Sequence, residues 1–538
     1  MATLMDADKE RIMNQLSSTT AAHTDGENAL PNALIEQLMR GVTGSAAPVT
    51  TISPLDGRTL AAVPQSAPKD VETAFDRARA AQREWATVPV KQRAALFLKF
   101  HDMMLARQAQ ALDIVQWETG KARLHALEEL MDGVGSTLYF ARRAPKLLSP
   151  KRRAGALPLF TQTRETYHPK GVVTTITPWN YPLSLTMDVI PALLAGNAVV
   201  HKPDTQTALS SLWPRMLLIE AGLPADLWQV VLGQPADIGD TLIDNADFVC
   251  FTGSTAAGKA IATRAAANLT GCSLELGGKN PMLVLRDADI EATASAAVRG
   301  CFANAGQLCV SIERIYVDKA IYQQFVGTFG ARTRALPLST AIEFTGGIGS
   351  LTSAKQLDRV ITHVQDAVAA GAVVVAGGTA RPDIGPYFYE PTVLTDVPPT
   401  AQLYREETFG PVVTIVPFDS EDEAIALAND TEYGLNAAVF SKDIKRARRI
   451  AARIQAGTVN INEGYAASYA SQDAPMGGMK QSGLGRRHGT AGLMKYVEPQ
   501  NISAQHVVGF DPAFGRTPAQ HAAFLLHAMK TMKAARIR

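Results

Sequence analysis

The stretch Phe302–Cys309 reads Phe-Ala-Asn-Ala-Gly-Gln-Leu-Cys and ends on a cysteine among small and amide-bearing side chains. Gly306 permits close backbone approach, and Asn304 and Gln307 bring amide dipoles without competing charge. A thiolate in such a setting is a nucleophile whose adduct carries an oxyanion, and amide donors suit that charge. Taken alone, Cys309 is a packing residue, because free cysteines are among the most buried side chains. A chemical role requires a base, oxyanion donors and a cofactor from elsewhere in the chain.

Two further stretches offer these. Leu274-Glu275-Leu276-Gly277-Gly278-Lys279-Asn280-Pro281 puts a carboxylate between leucines at the end of an apolar strand. Apolar surroundings disfavour the charged form, which poises a carboxylate as a base near neutral pH. The plainer alternative is an ordinary ion-paired glutamate at a strand end. The turn from Gly253 to Gly258 has the form Gly-x-x-x-x-Gly and leads into a helix, where backbone N–H groups can meet a pyrophosphate. It lacks the Gly-Lys-Ser/Thr of a P-loop and is not Gly-x-Gly-x-x-Gly, so a simple glycine turn stays open as its explanation.

The elements that must position these residues alternate. Strands are predicted at Val172–Ile176, Ala198–Val200, Trp228–Leu232 and Asp247–Phe251. Helices are predicted at Leu183–Leu194, Ala208–Ala221 and Ala256–Ala267. This succession implies an α/β fold with a parallel sheet, whose ligands bind outside the carboxyl ends of the strands. Those ends carry Thr177-Pro178-Trp179-Asn180, then His201-Lys202-Pro203-Asp204-Thr205, then the Gly253–Gly258 turn. A second set of strands, including Arg314–Val317 and Ala372–Ala376, begins beyond Cys309.

Upstream, one helix starts at Ser66–Pro68 and a long helical pattern runs from Lys91 to Trp117. Residues 1–47 read as an extension outside the main fold, with a short helix at Ala33–Arg40. Lys151-Arg152-Arg153 opens an alternating segment through Leu159, Phe160, Thr161 and Thr163, expected as exposed strands of an arm. After Asp511 the tail is basic. Phe524, Leu525, Ala528, Met529 and Met532 fall on one helix face, expected to pack on the protein itself.

Composition removes several function classes. Hydrophobic residues at 46% and charged residues at 19% fit an ordinary globular chain. A net charge of +1 argues against nucleic-acid binding, which needs a strongly basic surface. Four cysteines without a Cys-x-x-Cys pair argue against a disulfide framework and a zinc site, and fit a reducing, cytoplasmic setting. No secretory signal is visible, and the longest apolar run, Val189–Val200, falls short of the roughly 20 residues that span a bilayer.

The combination resembles the aldehyde dehydrogenase superfamily over roughly residues 48–505. The motifs stand in the family's order: Pro178-Trp179-Asn180, Lys202-Pro203, Gly253 to Gly258, Glu275 to Gly278, Asn304 to Cys309, Glu407-x-Phe409, and Pro475 to Arg486. Within the superfamily the chain looks most like the succinate-semialdehyde dehydrogenase branch that uses NADP. The resemblance implies a Rossmann-type parallel-sheet cofactor domain over 48–285, interrupted by the arm at 151–170. It implies an α/β catalytic domain over 286–487 and a β oligomerisation arm from 151–170 and 488–505, leaving 506–538 as a basic tail. In the family the arm joins subunits, so a homodimer or homotetramer is expected.

The resemblance also implies roles. Cys309 is the nucleophile, Asn180 and the Cys309 N–H bind the oxyanion, and Glu275 activates water. Thr177, Pro178, Trp179, Lys202, Thr205, Gly253, Ser254, Gly258, Leu276, Glu407 and Phe409 are expected at the cofactor. Thr205 stands where members that prefer NAD commonly carry a glutamate, which points to NADP, with NAD as the alternative. Ser471 matches a serine that assists a substrate carboxylate. Two arginines that hold that carboxylate in the branch are missing: Ala303 stands at one position, and 183–191 contains no arginine. A broad-specificity dehydrogenase of hydrophobic aldehydes is therefore the alternative enzyme, and a non-catalytic protein on the same scaffold the alternative of another class. Lys279 has no evident role, and Arg487 departs from the acidic residue usual in the family.

Overall fold

A computed structural model of the protein describes residues 30–155, 161–344, 346–506, 509 and 511–536. The expected residues Leu159 and Phe160 of the arm lie outside them, as does most of the 1–47 segment.

Two largely parallel sheets dominate, the second with an antiparallel edge strand, Val373–Ala376. The first has six strands in the order Gly483–Leu484, Gly271–Glu275, Phe248–Thr252, Val172–Ile176, Ala198–Lys202 and Trp228–Val230. Only its edge strand Gly483–Leu484 runs antiparallel. The chain enters at Val172–Ile176, winds outward through two strands, then returns to lay Phe248–Thr252 on the other side. The order reverses between these neighbours, and an open α/β sheet leaves a ligand crevice at that switch. The Thr177–Asn180 segment and the Gly253 turn leave from those two carboxyl ends. The strands are buried on both faces, as helices covering a parallel sheet require.

The second sheet has seven strands: Val373–Ala376, Thr392–Thr395, Val412–Phe418, Ile312–Asp318, Asn280–Val284, Asn436–Phe440 and Thr458–Ile461. Asn280–Val284 already belongs to it, so the divide between the sheets falls within 276–279 rather than at 285. A separate three-stranded antiparallel sheet joins Lys151–Arg153, Thr161–Pro169 and Val497–Gln505, with nine residues in register between the last two.

Three expectations need correction. Residues 30–47 are not all an appendage: helix Asn32–Met39 buries Leu34 and Leu38, and Thr43 N–H donates to Val230 O (2.9 Å) at the edge of the first sheet. The single pattern over Lys91–Trp117 is two helices, Val90–Ala106 and Gln108–Thr119, broken at Arg107. The helix expected at Leu183–Leu194 is also two, Pro182–Thr186 and Val189–Leu194. Pro191 has no N–H to give to Met187, and the intervening turn closes with three-residue bonds such as Asp188 N–H to Leu185 O (3.2 Å).

The C-terminal helix forms at Pro518–Ala534, but Phe524 and Met529 stay exposed, so the expected buried face is not made within the described chain. Among the described residues no helix is long and apolar enough to cross a membrane.

Candidate active site

The cysteine loop is built from backbone that side chains normally avoid. Asn304 (φ +50°), Ala305 (+53°) and Gly306 (+72°) are consecutively left-handed. Such a run costs energy and persists only where the surroundings over-determine it. A Cβ on Gly306 would lie 2.0 Å from Gly410 O, so close approach also demands glycine there. The surroundings are a net of buried amides. Gln307 Nε2 donates to Asn304 O (3.0 Å), and Gln307 Oε1 accepts from Thr352 N–H (2.9 Å). Asn280 Nδ2 donates to Cys309 O (2.8 Å) and Ser311 O (2.7 Å), and Asn436 Nδ2 to Val310 O (2.8 Å). The amides expected to surround the thiol thus mainly hold the loop that carries it.

Cys309 is half-buried, and its thiol is pushed up to about 12 by burial, then by the nearby Glu275 and Glu407 carboxylates. At rest it keeps its proton. Among the described residues its main-chain N–H is bonded to no other residue and faces its own thiol. Asn180 is buried, and its Nδ2 donates one hydrogen to Gln307 O (3.0 Å), which leaves the second for an oxyanion.

Glu275 ends strand Gly271–Glu275, and its carboxyl is pushed up to about 8, chiefly by burial, against the pull of Lys495 and Arg487. Its Oε1 has no hydrogen-bond partner, and Gly477 sits so close that a Cβ there would lie 2.8 Å from this atom. A buried carboxyl with a free oxygen and a proton affinity near neutrality has the character of a general base.

Both groups line one cleft of about 190 Å³ between the two sheets. Pro178, Trp179, Asn180, Gly253, Ser254 and Leu276 join them, as do Glu407 and Phe409, all expected from the sequence. Thr177, Lys202, Thr205, Gly258 and Ser471 are not on that lining. Thr177 hydrogen-bonds His201 Nε2 (2.8 Å), and Thr205 donates to Gln65 Oε1 (3.3 Å). Lys202 is buried at its strand end, and Ser471 follows the short helix Ala466–Tyr469, half-buried. Gly258 is where the helix Thr255–Ala266 meets Leu276, since a Cβ would lie 2.5 Å from that side chain.

That helix start fits a dinucleotide pyrophosphate. Ser254 caps it by accepting from Ala257 N–H (3.3 Å), and the N–H groups of Thr255 and Ala256 have no partner among the described residues. Phe409 and Trp179 meet edge to face, with centroids 5.6 Å apart. Glu407 folds back to accept from Gly278 N–H (2.8 Å) and is pushed up to about 7, first by burial and then by Glu313.

Several contributors escaped sequence reasoning. Gln356 and Arg359, on helix Ala354–Ala369, line the cleft; Gln356 Nε2 donates to Phe409 O (2.7 Å) and Arg359 to Glu407 O. Only their one-turn spacing on a helix hinted at a shared face. Lys279 now has a place: it pairs with Glu313 (2.5 Å), which accepts from Thr408 N–H (3.0 Å) and Phe409 N–H (2.9 Å). Arg487 is buried, bonded to Asp188 (2.7 Å) and to Ser184 O (2.8 Å). It ties the Pro182–Thr186 helix to the last motif. Among the described residues no cluster of acidic, histidine or cysteine side chains could hold a metal.

Known proteins share this arrangement. The model of the aldehyde dehydrogenase family matches residues 42–502. A Mycolicibacterium smegmatis protein, provisionally named a succinate-semialdehyde dehydrogenase of the NADP type, is 52% identical over 85% of this chain and 89% of its own. The mitochondrial succinate-semialdehyde dehydrogenase of rice (Oryza sativa subsp. japonica) is 36% identical over 84% of this chain and 85% of its own. Among solved structures, a Staphylococcus aureus betaine aldehyde dehydrogenase in complex with NAD+ superposes with a TM-score of 0.83 at 33% identity, covering 88% of this chain and 97% of that one. With its cysteine, its buried glutamate and a dinucleotide cleft between two parallel sheets, the chain belongs to the aldehyde dehydrogenase family and is an NAD(P)-dependent aldehyde dehydrogenase.

Proposed function

We propose that this enzyme oxidises succinate semialdehyde to succinate, with NADP preferred, through a thioester on Cys309. The observation that carries the mechanism is the Cys309 main-chain N–H, uncommitted in the same cleft as the free hydrogen of Asn180 and the free oxygen of Glu275. The Cys309 thiol gives its proton to water in the open cleft, and Sγ adds to the aldehyde carbon. Asn180 Nδ2 and the Cys309 N–H bind the oxyanion that forms. The nicotinamide cofactor, when bound, supplies the hydride acceptor that leaves a thioester. Glu275, as carboxylate, then takes a proton from water as the water oxygen adds to the thioester carbon. The C–S bond breaks, and the thiol and a carboxylic acid are released.

The residues that would hold the cofactor are the Gly253–Gly258 turn and the Thr255 helix start at the pyrophosphate. Thr177, Pro178, Trp179, Lys202, Thr205 and Leu276 would hold the adenosine side and the walls, and Glu407 and Phe409, steadied by Gln356 and Arg359, the nicotinamide end. Neutral Thr205 favours a 2′-phosphate, since a carboxylate there would repel it. This division assigns the first sheet to the cofactor and the second to the catalytic cysteine. The three-stranded arm is the proposed contact of a homodimer or homotetramer: strand Val497–Gln505 is nine residues long, exposed, and open along one edge. The cysteine content favours a cytoplasmic setting.

Succinate semialdehyde is favoured by the names of the relatives, with Ser471 the proposed aid to its carboxylate. A second reading, a dehydrogenase of hydrophobic aldehydes, is favoured by the apolar cluster packed against Cys309. Tyr181, Leu185, Ala303, Leu308, Tyr465 and Tyr469 belong to it. Reduced-cofactor absorbance decides between them, crossing NADP and NAD against succinate semialdehyde and hexanal. The highest kcat/KM is expected for succinate semialdehyde with NADP, and a preference for hexanal would replace the first reading with the second.

The Glu275 carboxyl also sets a pH dependence. Because it is pushed up to about 8, the base form is the minor one below that pH. Thioester hydrolysis should climb about tenfold per unit towards pH 8 and level off above it. A flat profile between pH 6 and 9, with hydrolysis shown to be rate-limiting, would remove Glu275 as the base.

A further inference from the structure

Buried charge outside the reacting groups lies against the backbone of Asn180. Lys121 and Glu129 form an ion pair in which both side chains are wholly buried. Lys121 lies between helices Gln108–Thr119 and Arg123–Leu147, just after Gly120 (φ +76°), and Glu129 sits two turns into the second helix. Removing two charges from water costs as much as their attraction returns, so such a pair is poor support for stability alone. What distinguishes it is where its remaining hydrogen bonds go.

All of them go to one segment. Lys121 Nζ donates to Asn180 O (2.7 Å) and stands 3.9 Å above the Tyr181 ring. Glu129 Oε2 accepts from Leu183 N–H (2.9 Å) and Ser184 N–H (3.2 Å), at the start of helix Pro182–Thr186. The cation therefore grips the first residue of the segment 180–184 and the anion its last two. From above, Asn304 Nδ2 donates to the same Asn180 O (3.0 Å), and the Asn180 side chain is tied to Gln307 O. With both backbone ends and the amide tip held, the free hydrogen of Asn180 Nδ2 has a single direction.

We propose that the Lys121–Glu129 pair is a positioning device that fixes the main chain of residues 180–184, so that the Asn180 amide meets the oxyanion formed at Cys309. The pair touches no substrate and acts only through Asn180. The inference rests on the reading of Asn180 as an oxyanion donor. It requires that the pair contribute to the acylation step, where that oxyanion first forms.

The test is a double-mutant cycle on the full chain, using the aldehyde that the unaltered enzyme oxidises fastest. The rate of the first turnover is followed by stopped-flow absorbance of reduced cofactor. The variants are Asn180→Ala, the paired change Lys121→Met/Glu129→Gln, and the triple combination. The paired change should slow the first turnover about 100-fold, the scale expected when a donor is displaced by about an ångström. In the Asn180→Ala background the same change should alter the rate by no more than about twofold, because the group it positions is gone. Fluorescence titration of reduced cofactor should give unchanged affinity in all variants.

Losses that multiply would show a general structural contribution and overturn the inference, as would a paired variant as fast as the unaltered enzyme. If Asn180→Ala alone leaves the first turnover unchanged, the oxyanion reading itself fails and the inference falls with it, a result distinct from multiplying losses. Should the paired variant not fold, Glu129→Gln alone runs the same cycle, with the same non-additivity required.

Discussion

Replacing Glu275 with Gln should leave the first turnover almost intact and stop the enzyme there. The change keeps the shape of the side chain and removes only its capacity to take a proton. It costs no hydrogen bond at Oε1, which has none, and it removes a charge that burial already disfavours. Acylation should proceed and give a burst of reduced cofactor close to one per subunit. Hydrolysis should then slow by roughly 10²–10⁴, the range that a positioned general base contributes. The burst amplitude and the steady-state slope, read in one stopped-flow trace, separate the two steps. Mass spectrometry of quenched protein should find the acyl group on Cys309. A variant that loses burst and steady state together would mean that Glu275 is needed to activate the thiol, since that thiol is itself pushed up to about 12.

Asn180→Ala is expected to produce the opposite pattern: a burst slowed by about 10²–10³, the cost of removing one oxyanion donor. Water addition to the thioester carbon builds an oxyanion at the same place, so the steady-state rate should fall as well. The loss should not come from unfolding, because Gln307 O keeps a second donor, Asn304 Nδ2 (3.1 Å). Asn180→Asp should be slower still, since a carboxylate there would repel the developing negative charge. A normal burst in Asn180→Ala would leave the Cys309 N–H as the sole donor and would withdraw the role given to Asn180.

The residues concerned in these predictions come from both sheets. Asn180 follows a central strand of the first sheet. Glu275 ends a strand of that sheet next to its antiparallel edge. Cys309 precedes a strand of the second. The short link 276–279 lets the chain pass from one sheet to the other, and Gly277 and Gly278 leave room there for Glu407 to fold against it. A Cβ on Gly277 would lie 2.6 Å from Glu407 Oε2, which explains a glycine where the chain only needs to cross.

Much of this was legible in the sequence because it is local or ordered along the chain. Hydrophobic runs and turn residues mark Val172–Ile176 and Ala208–Ala221 with the bounds the structure has. The order of seven short motifs identifies the family and, through it, suggests the roles proposed for Cys309, Glu275 and Asn180. What stayed hidden depends on partners distant in sequence. Arg487 looked anomalous because its meaning lies at Asp188, 299 positions away. Lys279 looked idle because Glu313 pairs with it from a neighbouring strand.

The sequence by itself determined the alternation of strands and helices, the glycine turn that opens a helix, and the types of the groups proposed to react. These follow from side-chain periodicity and from chemistry that residues carry wherever they sit. Only the tertiary structure decided which carboxyl is buried with its proton affinity raised, which N–H groups are left uncommitted, and which buried charges bond to the segment that carries Asn180. Burial, proton affinity and hydrogen-bond competition are set by neighbours brought together in space, and no single stretch of chain contains them.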